Sequence, residues 1–178
     1  AETNPSELLI GAMSDVTSVS WYEAGSFVSN FEQAFAQMLG VDHCVSCASG
    51  TDALILALKA LDCTQGDQIA LVANAGFYGS TAVHTLRATP VYVDVDDESL
   101  CMCPAALEDV LKDHSIKAVI VTHLYGQLAD VTAIAALCRA YGVALVEDCA
   151  QACGAADSNG SMAGSFGDIS CFSFYPTK

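Results

Sequence analysis

From about residue 68 onward, short β-branched runs alternate with helix-forming stretches, and this alternation restricts the fold more than any other feature of the chain. The runs at 68–72, 91–95, 118–122, 143–147 and 169–174 read as strands. Helical stretches lie between them near 80–86, 104–111 and 131–141, the last with Asp130 as its N-cap and Gly142 just beyond its end. A strand that returns through a helix pairs parallel to its predecessor rather than as a hairpin. The pattern therefore predicts an α/β fold with a mostly parallel sheet flanked by helices.

Upstream, Ser29 followed by Glu32 reads as a capping box. It would open a helix with Phe31, Ala34, Phe35, Met38 and Leu39 on one face, ending at Gly40. A short strand at 43–47 then leads through Ser49, Gly50 and Thr51 into a helix over 53–61. That helix is apolar nearly all round and is expected to be buried. On this reading the chain has an N-terminal arm over 1–28 and a single domain over 29–178, with 157–161 as a polar surface loop.

Charge and cysteine usage narrow the partners. Six Lys and Arg against twenty-one Asp and Glu give a formal net charge of −15, which repels nucleic acid and anionic membranes, so neither is expected to bind. No run approaches the roughly 18 apolar residues of a spanning helix, and residues 1–7 lack the features of a secretion signal. A soluble, cytoplasmic protein is expected. The nine cysteines are odd in number and mostly interrupt apolar runs, as at Cys138 and Cys171, which fits buried reduced thiols. The pairs Cys44/Cys47, Cys101/Cys103 and Cys149/Cys153 invite a metal reading, but strand alternation turns close neighbours apart, and no metal is expected.

Ligands of open parallel sheets sit beyond the carboxyl ends of the strands. At those ends stand Ser49, Gly50 and Thr51, residues 74–78 and 123–126, Asp148 with Gln151, and residues 175–178. Ser49, Gly50 and Thr51 open a helix, where free amides hold a phosphate without basic side chains; the alternative is that they only turn and cap it. Asp148 ends an apolar strand, where it either meets a cation such as a protonated pyridine or caps the next turn. Either Phe77 or Tyr78 stacks on a flat ligand, or both belong to the core. His123 is a ligand contact or a satisfied polar group under a loop. Lys178, at the far end of the last strand, carries an amine able to form a Schiff base with an aldehyde. With Asp148 upstream, this combination points to pyridoxal 5'-phosphate.

Together, Ser49-Gly-Thr51, the segment 88–96, His123-Leu-Tyr-Gly-Gln127, Val146-Glu-Asp-Cys-Ala-Gln151 and the segments 164–168 and 172–178 resemble the DegT-type nucleotide-sugar aminotransferases, from about Phe31 to the end of the chain. The resemblance implies the large domain of the aspartate aminotransferase fold, pyridoxal 5'-phosphate as cofactor and a homodimer. It also implies transfer of an amino group from an amino acid, usually glutamate, to a nucleotide-linked keto sugar. By the same likeness Lys178 and Asp148 are catalytic, the first as the Schiff-base lysine and the second as partner of the pyridine nitrogen. Gln151 would lie near the cofactor's 3-hydroxyl, Ser173 with Ser49, Gly50 and Thr51 on its phosphate, and Phe77 or Tyr78 on its ring. Two departures stand out. One residue fewer separates Tyr78 from Ala88, and family members continue past the lysine into a strand between the last strand here and the first, then into a small C-terminal domain. The chain is accordingly expected to be the front part of a larger enzyme, its sheet lacking an interior strand. A dehydratase or regulatory relative of the same fold, and an inert fragment serving as an assembly module, are the alternatives.

Overall fold

The computed structural model describes residues 5–19, 21–22 and 25–176. By contact the chain divides into two compact units, Ala1–Ser46 and Cys47–Lys178.

The first unit carries helices α1 (Ser6–Val19) and α2 (Ser26–Leu39). The sequence reading assigned no helix to the stretch that forms α1, and no α1 residue is buried. α2 begins earlier than the capping box predicts, with Gly25 as N-cap and no side-chain cap. Ser29 already donates its N–H to the Gly25 carbonyl at 3.1 Å, so its backbone is helical and its hydroxyl does not cap. Glu32 is diverted too, accepting the Ser46 N–H at 2.6 Å. The helix ends as expected, on Gly40 in the left-handed conformation. The predicted strand at 43–47 does not form, because an extended run becomes a strand only when a ladder partner takes up its backbone groups.

The second unit holds α3 (Gly50–Ala60), β1 (Gln68–Val72), α4 (Tyr78–Thr85), β2 (Thr89–Val93), α5 (Pro104–Asp113), β3 (Ile116–Thr122), α6 (Val131–Tyr141), β4 (Ala144–Asp148) and β5 (Ile169–Cys171). The strands form one parallel sheet in the order β2-β1-β3-β4-β5. All five expected after residue 68 are present, although β5 is three residues long where the pattern predicted six. Among the described residues β2 and β5 are the edges of the sheet.

Side-chain alternation builds two hydrophobic layers. Ile69, Leu71, Ala118, Ile120, Val146 and Cys171 pack with Leu54, Leu58 and Val83 of α3 and α4. Ala70, Val72, Val119, Val121 and Leu145 pack with Leu107, Ile134 and Cys138 of α5 and α6. The chain leaves β1 in one direction along the sheet and runs from β3 to β4 in the other, so right-handed crossovers put α4 and α6 on opposite faces. Each fully buried leucine, such as Leu54 or Leu58, stabilises this arrangement by about 2 kcal/mol. α3 is not buried all round as its composition predicted. It lies on one face of the sheet, so Leu54, Ala57 and Leu58 are covered while Leu56 is 52% exposed.

All nine cysteines are free. Burial, reinforced by Asp168, pushes the Cys138 thiol up to about 11, and burial with Asp148 pushes Cys171 up to about 12, so both stay protonated near neutral pH. Asp157 organises the expected surface loop, its Oδ1 accepting the N–H groups of Asn159 and Ser161 at 2.9 and 2.8 Å. No helix among the described residues is long and apolar enough to cross a membrane.

Candidate active site

Between β1 and β3 the direction of winding reverses. Loops leaving the two strands then diverge and open a crevice at the carboxyl end of the sheet, where this topology takes its ligands. Residues 73–78 and 123–127 border that crevice.

Asp148 ends β4, opposite Thr122 of β3 and Cys171 of β5. It alternates in phase with Val146, which puts its carboxylate on the face covered by α3, and it is buried. Its Oδ1 accepts the Ala150 N–H at 3.1 Å, the local turn foreseen as one of its two readings.

The start of α3 lies on the same face. Ser49 is its N-cap, accepting the Asp52 N–H at 3.1 Å and donating its hydroxyl to Asp52 Oδ2 at 2.7 Å. The capping role predicted as one alternative is thus occupied by the Ser49 side chain. The N–H groups of Gly50 and Thr51 have no backbone partner among the described residues. Ser173 stands against them: a Cβ on Gly50 would lie 3.1 Å from Ser173 Cβ and 3.6 Å from its Oγ. A side chain at residue 50 would have to push Ser173 aside by a few tenths of an ångström. The Gly50 and Thr51 amides, at the N-terminus of α3, therefore lie close to the Ser173 hydroxyl.

Phe77 is the N-cap of α4, left-handed at φ 63°, and is 75% exposed, while Tyr78 is 58% exposed. Neither belongs to the core. Gln151 accepts the Tyr125 N–H on its Oε1 at 3.1 Å, which ties the turn after β4 to the loop after β3. Lys178 lies outside the described residues.

His123 proves to be the satisfied polar group. It is fully buried; its Nδ1 accepts the Ala129 N–H at 3.1 Å, and its Nε2 bonds Glu147 Oε2 at 2.9 Å. An acceptor at Nδ1 leaves the proton on Nε2, so the imidazole is neutral and donates to the carboxylate. Glu147 is the residue that sequence reasoning missed. It also accepts the N–H of Gly164 on Oε2 at 2.8 Å and those of Phe166 and Gly167 on Oε1 at 2.7 Å each. Burial pushes its pKa up, but the bonds from His123, Gly167, Gly164 and Phe166 outweigh it and hold the carboxyl below its ordinary value. The available signal was the pair of acids ending an apolar strand: alternation must send one of them to each face, and both faces are covered.

The ligand atoms of His123, Glu147 and Cys149 lie within 4.8 Å of one another. Both imidazole nitrogens and both carboxylate oxygens are engaged in hydrogen bonds, and burial, with Glu147 and Asp148 close by, keeps the Cys149 thiol protonated. The cluster is a structural clamp that pins the 164–167 loop to β4. Its tightness shows at Gly167, where a Cβ would come 2.7 Å from the Leu145 carbonyl oxygen. Gly167→Ala is expected to lower unfolding free energy by about 2 kcal/mol, read from the denaturation midpoint of the full-length protein.

Residues 5–178 match the DegT/DnrJ/EryC1/StrS aminotransferase family. The chain belongs to that family. Its members depend on pyridoxal phosphate, and the five-stranded parallel sheet flanked by helices is that of the fold-type I aminotransferases. One relative, the UDP-N-acetyl-3-dehydro-alpha-D-glucosamine 3-aminotransferase of Acidithiobacillus ferrooxidans, is 48% identical over 147 residues, which make up 83% of this chain and 39% of the relative. The solved DegT/DnrJ/EryC1/StrS aminotransferase of Brucella abortus superposes with a TM-score of 0.89 at 34% identity, covering 96% of this chain and 47% of that one. NtdA of Bacillus subtilis, solved with pyridoxamine phosphate bound, gives a TM-score of 0.88 at 27% identity, covering 97% of this chain and 38% of the other. The chain spans about two fifths of the length of the curated relatives it matches.

Proposed function

We propose that this chain forms the cofactor-binding part of an enzyme that transfers an amino group from an amino acid, glutamate being the expected donor, to a nucleotide-linked keto sugar, using pyridoxal 5'-phosphate. The observation that carries the reading is the convergence, on one face of the sheet, of the buried Asp148 carboxylate with the phosphate-type donor set of Gly50, Thr51 and Ser173. These residues fit the cofactor: an acceptor for a protonated ring nitrogen, amide and hydroxyl donors for a phosphate, and exposed aromatic rings at the crevice. Amide donors also answer the charge problem, since a chain of net charge −15 has few basic side chains to offer a phosphate.

When bound, the cofactor supplies an electron sink for the substrate carbon that loses its proton. Asp148 keeps a proton on the ring nitrogen. Gly50, Thr51 and Ser173 anchor the phosphate, while Ser49 holds the helix end that presents the amides. Gln151, its carbonyl engaged with Tyr125, would lie near the ring hydroxyl with its amide N–H groups available as donors. Phe77 or Tyr78 covers one ring face. Lys178 would hold the cofactor through its amine and would supply the base that moves a proton at the substrate carbon. The same reading takes residues 1–28 as an arm and 29–178 as a cofactor-binding large domain of a cytoplasmic homodimer. The relative from Acidithiobacillus, named for a UDP-linked sugar, supports the acceptor class.

The test mixes the full-length protein with pyridoxal 5'-phosphate, records the visible absorbance of the lysine-bound cofactor, then adds glutamate followed by a UDP-linked 3-keto sugar. A band that is bleached by glutamate and restored by the keto sugar is expected. Lys178→Ala should lose the band; its survival would remove Lys178 from the scheme. A band with no amine transfer favours a dehydratase or regulatory relative, and no band at all favours an inert assembly module.

A further inference from the structure

We infer that Tyr125 is a specificity-determining residue that contacts the amino-group acceptor; the inference deepens the function proposed above and rests on it. Tyr125 follows β3 at the point where the winding of the sheet reverses, at the same carboxyl end of the sheet as the loop of Phe77 after β1. Its side chain is 68% exposed, so the ring contributes nothing to the core. Its backbone is nevertheless left-handed at φ 58°, a region that suits glycine or asparagine and in which a bulky residue is an outlier.

Three hydrogen bonds impose that conformation. Gln151 Oε1 accepts the Tyr125 N–H at 3.1 Å, the Gln127 N–H closes the turn on the Leu124 carbonyl at 3.1 Å, and Gln127 Nε2 donates to the Ser99 carbonyl at 2.6 Å. The loop is thus braced from β4 and from the segment before α5, and what the bracing presents is an aromatic residue that packing does not require. Phe77, after the neighbouring strand β1, repeats the pattern, left-handed and exposed. Strain of this kind persists where surrounding structure over-determines it and gathers at ligand sites.

The ligand follows from the chemistry. Gln151 faces the cofactor in the proposed scheme, so Tyr125 stands one hydrogen bond further out, on the solvent side from which an acceptor arrives. A phenol offers a flat apolar face with a hydroxyl at its edge, which suits a sugar ring with its C–H faces and peripheral hydroxyls. Tyr125 would therefore act on the second half of the reaction and leave the first alone.

The experiment uses the cofactor-loaded, full-length protein and separates the two halves. Bleaching of the cofactor by glutamate reports the donor half, and amination of the UDP-linked 3-keto sugar reports the acceptor half. Tyr125→Asn, which tolerates the left-handed backbone, is expected to keep the donor half within about twofold while raising the acceptor KM about tenfold, with Tyr125→Phe in between. An unchanged acceptor KM in both variants overturns the inference. So does an equal loss in both halves, which would make Tyr125 a structural support of the cofactor site. If the unmodified protein shows no cofactor band, the proposed function itself fails and the inference falls with it; if the unmodified protein transfers the amine and the variants match it, only the inference fails.

Discussion

Asp148→Asn is expected to lower turnover by about 10³-fold at saturating cofactor while leaving the fold in place; that factor corresponds to about 4 kcal/mol of barrier. Asparagine has nearly the same shape, and its side-chain oxygen still accepts the Ala150 N–H that forms the turn after β4. What it lacks is charge. A carboxylate within a few ångströms of a pyridine nitrogen favours the protonated ring, and a neutral amide does not. Because Asp148 is buried between β3 and β5, water cannot substitute for the lost charge. The measurement is kcat beside a thermal melt of the same variant. A variant that melts normally and keeps activity within about tenfold would show that Asp148 is not the partner of the cofactor nitrogen.

The second large effect is on stability. Glu147→Gln is expected to lower the unfolding free energy by about 3–5 kcal/mol, read from denaturant titration of the full-length protein. Glu147 accepts four hydrogen bonds in a site closed to solvent, and an amide replaces one accepting oxygen with an NH₂ group that would face N–H donors. Either the Phe166 and Gly167 amides or the Gly164 amide and His123 would lose their acceptor. The 164–167 loop leads into β5 and on to Ser173, so the damage would reach the proposed cofactor site through the chain.

The same residue predicts an acid dependence. Its carboxyl is held below the ordinary value of 4.5 in the folded protein, despite burial, by His123 and the three loop amides. A depressed carboxyl contributes stability that is fully present above its unfolded value and is lost as pH falls through the folded one. Stability of the unmodified protein should therefore fall in the range below about pH 4.5, and Glu147→Gln should fall less steeply there. Equal slopes for the two proteins would show that Glu147 is not the group responsible.

Much of the sheet was legible because its signals are local. α6 forms over Val131–Tyr141 as predicted, with Asp130 accepting the Ala133 N–H at 3.2 Å and Gly142 left-handed after it, since a cap and a terminator each act within one turn. The failures also have causes. At α2 the capping signature was present but lay one turn inside the helix, because nothing in a four-residue pattern reports whether the preceding residues are already helical. At 43–47 an apolar alternation had no ladder to join. At Glu147 and His123 the deciding fact is a contact between residues 24 apart, which converts two ambiguous polar groups into one satisfied pair.

By itself, the sequence determined the α/β class, the parallel strands and the family, because periodicity, caps and ordered motifs are written in neighbouring residues. Only the tertiary structure decided which of two adjacent acids lies on the α3 face and which is consumed by a buried clamp. Strand alternation sends Asp148 to the α3 face beside Gly50 and Ser173, and sends Glu147 to the opposite face, where His123 and three amides consume it. A side chain's role depends on the donors that surround it, and those donors are brought together by sheet pairing and loop closure rather than by proximity along the chain.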